Sequence, residues 1–101
     1  MNTLFAYKKE IKALCAIHKV RSLYAFGSVI TPNFNTNSDI DLIVDFKDID
    51  LKDYADNYFD FKFSLQDILN RPVDLLEEQA IKNPYFKEGL NNKKLIVYDE
   101  L

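Results

Sequence analysis

Asp39 and Asp41 stand two residues apart in the segment Ser38-Asp39-Ile40-Asp41-Leu42. In an extended strand, side chains two apart point to the same side. This spacing puts two carboxylates on one face, while Ile40 and Leu42 enter a core on the other. Two ionised carboxylates so close repel each other, and a cation between them removes the cost. Magnesium suits the pair, because it takes oxygen ligands, commonly one or two carboxylates together with substrate phosphates. Asp74, in Pro72-Val73-Asp74-Leu75-Leu76, is again an acid flanked by core residues. It reaches the same site if its strand neighbours the first. Three convergent carboxylates let two metal ions flank a phosphoryl group and clamp the attacking and leaving oxygens. Upstream, Gly27-Ser28 closes a short apolar run. Backbone N–H groups at such a turn suit an anion, Gly27 permits close approach of a phosphate, and the Ser28 hydroxyl adds a donor.

These residues need a frame, and the apolar pattern supplies one. Leu4, Tyr7, Ile11, Leu14, Cys15 and Ile17 recur at three and four, predicting an amphipathic helix over Leu4–Val20 with Asn2 or Thr3 as N-cap. Ser22–Phe26 reads as a strand stopped by Gly27, and Thr31–Ser38 as a polar loop. Asp39–Phe46 reads as a second strand. Leu51, Tyr54, Ala55, Tyr58, Phe61, Leu65, Ile68 and Leu69 fit a second amphipathic helix. Pro72–Leu76 is a third strand. Glu78–Leu90 is a helix begun by the acids Glu77-Glu78, with Pro84 in a first turn or splitting the segment. Lys94–Tyr98 is the last strand. The expected architecture is α/β (α+β): a small mixed sheet of about four strands with helices packed against it. No linker or repeat interrupts the chain, so residues 1–101 are expected to form one domain.

Composition narrows the chemistry further. One cysteine, Cys15, excludes an internal disulfide, and one histidine, His18, excludes a two-histidine zinc site. The net charge of −3 is unevenly spread: residues 1–22 sum to +4 and residues 39–60 to −6, the latter with eight Asp and no Glu. Asp is the poorer helix former but the shorter, stiffer ligand for a hard cation. A pI near 5.0 argues against direct nucleic-acid binding. No apolar run approaches a membrane span and no signal-peptide pattern opens the chain, so a cytoplasmic protein is expected.

Gly27-Ser28, ten intervening residues and Asp39-Ile40-Asp41 together resemble the Gly-Ser-x10-Asp-x-Asp signature of the polymerase-beta-like nucleotidyltransferase superfamily. The chain length, the third acid Asp74, and the ending Asn83-Pro84-Tyr85-Phe86 … Leu95-Ile96-Val97-Tyr98 look like its minimal nucleotidyltransferase (MNT) branch, over nearly the whole chain. The resemblance implies that Asp39 and Asp41 bind two Mg²⁺ ions. It implies that Asp74 completes one metal site and helps deprotonate an acceptor hydroxyl, and that Gly27 and Ser28 hold the triphosphate of ATP. It further implies an antitoxin of the type VII kind, paired with a HEPN-domain ribonuclease toxin and forming a hetero-oligomer with it. Such antitoxins transfer AMP to a tyrosine of the toxin. The sequence departs from the family where many members carry Arg-Gly, since Thr31 and Pro32 stand there. The lost Arg removes a charge partner for phosphates, so a binding-only antitoxin is the alternative to an efficient enzyme. Transfer to a small cationic molecule such as an aminoglycoside is another, favoured by the acidic surface.

At this length no second domain can hold an acceptor, which favours a partner protein that presents its own hydroxyl. Tyr54, Tyr58, Phe59, Phe61 and Phe63 crowd one helix. Phe59 and Phe63 fall off its apolar stripe and lie four apart, a spacing that suits a partner contact. Cys15 reads as core, His18 as a group near a helix C-terminus, and Lys47 as a solvated lysine within reach of phosphate.

Overall fold

The computed structural model describes residues 4, 6–26, 39–81, 85 and 95–99. Helix α1 (Lys8–Ile17) leads into β1 (Val20–Phe26), followed by β2 (Ile40–Phe46), helix α2 (Leu51–Leu69), β3 (Val73–Glu77) and β4 (Leu95–Asp99). The four strands form one mixed sheet in the order β3-β2-β1-β4. β1 runs antiparallel to both β2 and β4, whereas β2 and β3 are parallel. Parallel neighbours need a long crossover, and α2 is that crossover. The expected α+β architecture is therefore the one that forms.

The alternation of β2 decides the layering. Ile40, Leu42, Val44 and Phe46 are buried and pack with Ile11 and Cys15 of α1 and Phe61, Leu65 and Leu69 of α2. Both helices thus cover one face of the sheet. Cys15 is fully enclosed, and burial pushes its thiol up to about 12, so it behaves as an inert small apolar group. α2 closes at Asn70, which takes the left-handed conformation (φ 54°, ψ 42°) that commonly ends helices. Gln66 then accepts from the Val73 N–H at 3.1 Å, setting the start of β3.

Two sequence expectations change, at the end of the first helix and after β3. The first helix ends at Ile17 rather than Val20, because Lys19 adopts a positive φ of 59° and turns the chain directly into β1. A register shift between Val20 and Ser22 lets Val20, Leu23 and Ala25 all point into the core. The proposed N-caps Asn2 and Thr3 lie outside the described residues, and α1 begins at Lys8 after an uncapped Tyr7. No helix starts at Glu77: that residue closes β3, Glu78–Ala80 form a 3₁₀ turn, and Ile81 is extended. Tyr85 is helical, and residues 82–84 and 86–94 of the predicted segment and its surroundings lie outside the described residues.

His18 is buried and bridges the two helices. Its ring Nδ1 lies 2.8 Å from the Leu14 carbonyl and its Nε2 lies 2.7 Å from Asp60 Oδ2. Asn57 of α2 donates to the His18 carbonyl at 2.8 Å. The lone histidine is a structural brace. Lys47 follows β2 at the end far from Asp39, where its N–H bonds the Lys19 carbonyl at 2.8 Å. Among the described residues no helix is long and apolar enough to cross a membrane.

Candidate active site

The site grows from the paired starts of β2 and β3. The Ile40 N–H donates to the Pro72 carbonyl at 3.1 Å, locking the two strand entrances together. In that register Ile40 faces Val73 and Asp41 faces Asp74. Directly paired strand residues share a face, so the buried Ile40 and Val73 anchor one side while both acids take the other. Asp39 precedes Asp41 by two and falls on the same side. Main-chain pairing thus brings the sequence-predicted Asp41 and Asp74 together, and Asp39, just ahead of β2, lies near enough for its charge to act on Asp41. Gly27 and Ser28 lie outside the described residues.

The electrostatics follow from this crowding. Asp41 is half-buried, Asp39 and Asp74 exposed. Burial raises the Asp41 carboxyl above its usual range, and the nearby charges of Asp74 and Asp39 raise it further. The face therefore holds more negative charge than it can comfortably keep. Among the described residues no three His, Cys, Asp or Glu side chains are closed around one point. Carboxylates of this kind, gathered on one face of the sheet, are the donor type that a hard divalent cation such as Mg²⁺ takes.

Three contributors escaped the sequence reading. Phe26 of β1 is the register partner of Asp41 on the side away from Asp74 and forms a flank of the acid cluster. Tyr58, assigned to the helix stripe, donates its hydroxyl to the Leu75 carbonyl at 2.5 Å, and Asp74 contributes to the upward shift of its phenol behind burial and Glu77. One turn earlier, Tyr54 donates to Glu77, and burial and that carboxylate push its phenol well above the usual range. The two phenols tie α2 to β3 at Leu75 and Glu77, just past Asp74 in the same strand. The only local signal was a hydroxyl on an otherwise apolar stripe.

Tyr58→Phe tests this tie. It leaves the carbonyl of the buried Leu75 without this donor, and about 0.5–1.5 kcal/mol of stability is expected to go with it. Urea unfolding would read the loss, and an unchanged midpoint would show that β3 does not depend on the contact.

A small mixed sheet covered by two helices on one face, with acids of neighbouring parallel strands paired on the other, defines a nucleotidyltransferase fold. The polymerase beta nucleotidyltransferase domain matches residues 9–100, and the chain belongs to that family. It is 36% identical over 90 residues, 89% of each chain, to "Putative protein adenylyltransferase MJ0128" of Methanocaldococcus jannaschii. Its fold superposes on a solved "putative minimal nucleotidyltransferase" with a TM-score of 0.76 at 27% identity, covering 93% of this chain and 92% of that one. It also shares the fold of a chain from the complex of a tri-AMPylated Shewanella oneidensis HEPN toxin with an MNT antitoxin (TM-score 0.64, 18% identity, 95% and 72% covered).

Proposed function

We propose that this chain transfers AMP from ATP to a tyrosine hydroxyl of a HEPN-domain ribonuclease toxin and so acts as its antitoxin. The observation that carries the reading is the pairing of Asp41 with Asp74 across parallel strands, beside Asp39, in a nucleotidyltransferase chain. The acceptor oxygen bonds to the α-phosphorus as the α–β phosphoanhydride bond breaks; pyrophosphate leaves and the hydroxyl proton is released. Asp39, Asp41 and Asp74 would hold Mg²⁺, which when bound would neutralise charge at the phosphates. Asp74 is exposed and adjoins the cluster, which suits it to take the acceptor's proton. Gly27 and Ser28 bind the β- and γ-phosphates through backbone and hydroxyl donors. The protein works in the cytoplasm as a single domain, in a hetero-oligomer with the toxin.

The test is a label-transfer assay. The protein, Mg²⁺ and ATP labelled at the α-phosphate are added to a lysate of the source cells, beside an Asp39→Asn, Asp41→Asn control. A labelled protein band that needs the wild-type chain is expected. Its absence, with a partner still captured by both versions, would overturn transfer in favour of neutralisation by contact. Label on a small molecule would instead identify an acceptor of the aminoglycoside kind.

A further inference from the structure

Helix α2 carries an aromatic pair that the proposed reaction does not use. Phe59 and Phe63 are 49% and 54% exposed, and their rings stack with centroids 6.0 Å apart and planes at 29°. Large rings held in solvent on a small domain mark a contact surface. Beside them run the exposed carboxylates Asp53, Asp56, Asp60 and Asp67. At about 100° of rotation per residue, these four fall within about 60° of one another, along the edge of the ring pair. Asp60 accepts from His18, yet its side chain stays 74% exposed. The two lysines of the helix, Lys52 and Lys62, leave it net negative.

Charge selects the occupant. An anionic membrane or a nucleic acid is repelled. A second copy docked through the same helix about a two-fold axis would bring one carboxylate line towards the other. What remains is a cationic protein surface with room for two rings. Stacked π faces beside a row of anions are also what single-stranded nucleic acid displays, and grooves that hold such strands combine basic side chains with aromatic platforms.

We propose that the Phe59–Phe63 ridge of α2, with its line of aspartates, docks as an RNA mimic in the cationic, aromatic-lined RNA groove of the partner protein. The rings occupy the base-stacking platform and the carboxylates meet the basic groups that hold phosphates. The identity of the partner rests on the function proposed above. The contact itself needs no transfer of AMP and blocks RNA by occupancy.

The experiment uses the full chain and the protein encoded beside its gene. Fluorescein-labelled single-stranded 2′-O-methyl oligouridine, which resists ribonuclease cleavage, is bound to that partner without ATP. This chain is titrated in while anisotropy and size-exclusion elution are followed. Wild type and the Asp39→Asn, Asp41→Asn variant are both expected to release the RNA as the complex forms. Phe59→Ala with Phe63→Ala is expected to raise the half-displacing concentration by about tenfold or more, as loss of a buried aromatic anchor does. Asp56→Lys with Asp67→Lys is expected to do likewise, and melting curves check that both variants stay folded. Four results would each overturn the proposal: no complex, a complex that retains RNA, displacement by the alanine pair at wild-type concentrations, or a free chain that is a dimer dissolved by that pair. Displacement without AMP transfer under ATP and Mg²⁺ defeats the transferase reading alone. Transfer without displacement defeats the ridge alone.

Discussion

Asp41→Asn is expected to abolish AMP transfer while raising the melting temperature of the ion-free protein. Both effects come from one carboxylate placed where it is costly. Asp41 is half-buried and faces Asp74 across the parallel pair, with Asp39 on the same side. The Asn amide keeps the shape but carries no charge and is a poor magnesium ligand. Losing a ligand that stabilises developing phosphate charge removes several kcal/mol, and about 4 kcal/mol corresponds to a loss of about 1,000-fold in rate. The same change removes a like-charge cross-strand pair, worth about 0.2–1 kcal/mol, or a few degrees in Tm for a domain of this size. Transfer at the wild-type rate would sink the metal-site assignment. A lower Tm would show that Asp41 stabilises the fold rather than straining it.

The pH dependence follows in sign. The folded-state value of Asp41 is raised above its ordinary 3.8 by burial, then by Asp74, then by Asp39. Protonation therefore favours the fold. That contribution is fully present below the unfolded value and is lost as pH rises through the raised folded value. In chelator, wild type should lose stability over that interval relative to Asp41→Asn, whose profile lacks this step. Added Mg²⁺ should raise the Tm of wild type and leave the variant nearly unmoved, because only a folded state that binds the ion is stabilised by it.

Much of this was legible in residue spacing, for identifiable reasons. α2 runs over Leu51–Leu69, the span that its apolar repeat predicts, because nineteen residues sample the helical period several times. The acids were legible because alternation within a strand fixes faces without any knowledge of the partner strand. The strand–helix–strand order allows β2 and β3 to be neighbours without requiring it, and only their pairing places Asp74 opposite Asp41. What escaped were features that depend on contacts across elements. The Val20 bulge exists because β1 must match both β2 and the turn at Lys19. The roles of Tyr54 and Tyr58 depend on where Glu77 and the Leu75 carbonyl come to rest. His18 looked isolated because Asp60 lies 42 residues away in the chain.

The same helix supplies the sharpest test of the fold. Phe61→Ala and Phe63→Ala are two residues apart and chemically identical changes, and they should differ by several kcal/mol. Phe61 is fully buried, with the Phe46 ring at 6.0 Å and the His18 ring at 5.4 Å. Its truncation loses transfer energy and leaves a cavity between both helices and β2, about 3–5 kcal/mol in all. A domain whose total stability is about 5–15 kcal/mol would lose about 12–40 °C in Tm, or would not fold at all. Phe63 is more than half exposed, so its truncation should change the free protein by no more than about 0.5 kcal/mol. Paired urea titrations read the contrast, and Phe61→Leu guards against a variant too unstable to measure, since it keeps the site apolar and loses less. Equal costs for Phe61→Ala and Phe63→Ala would mean that the ridge is packed, and the face assignments of α2 would then fail together. A large gap would instead confirm that the exposed rings contribute almost nothing to the fold, which leaves their energy available for a partner.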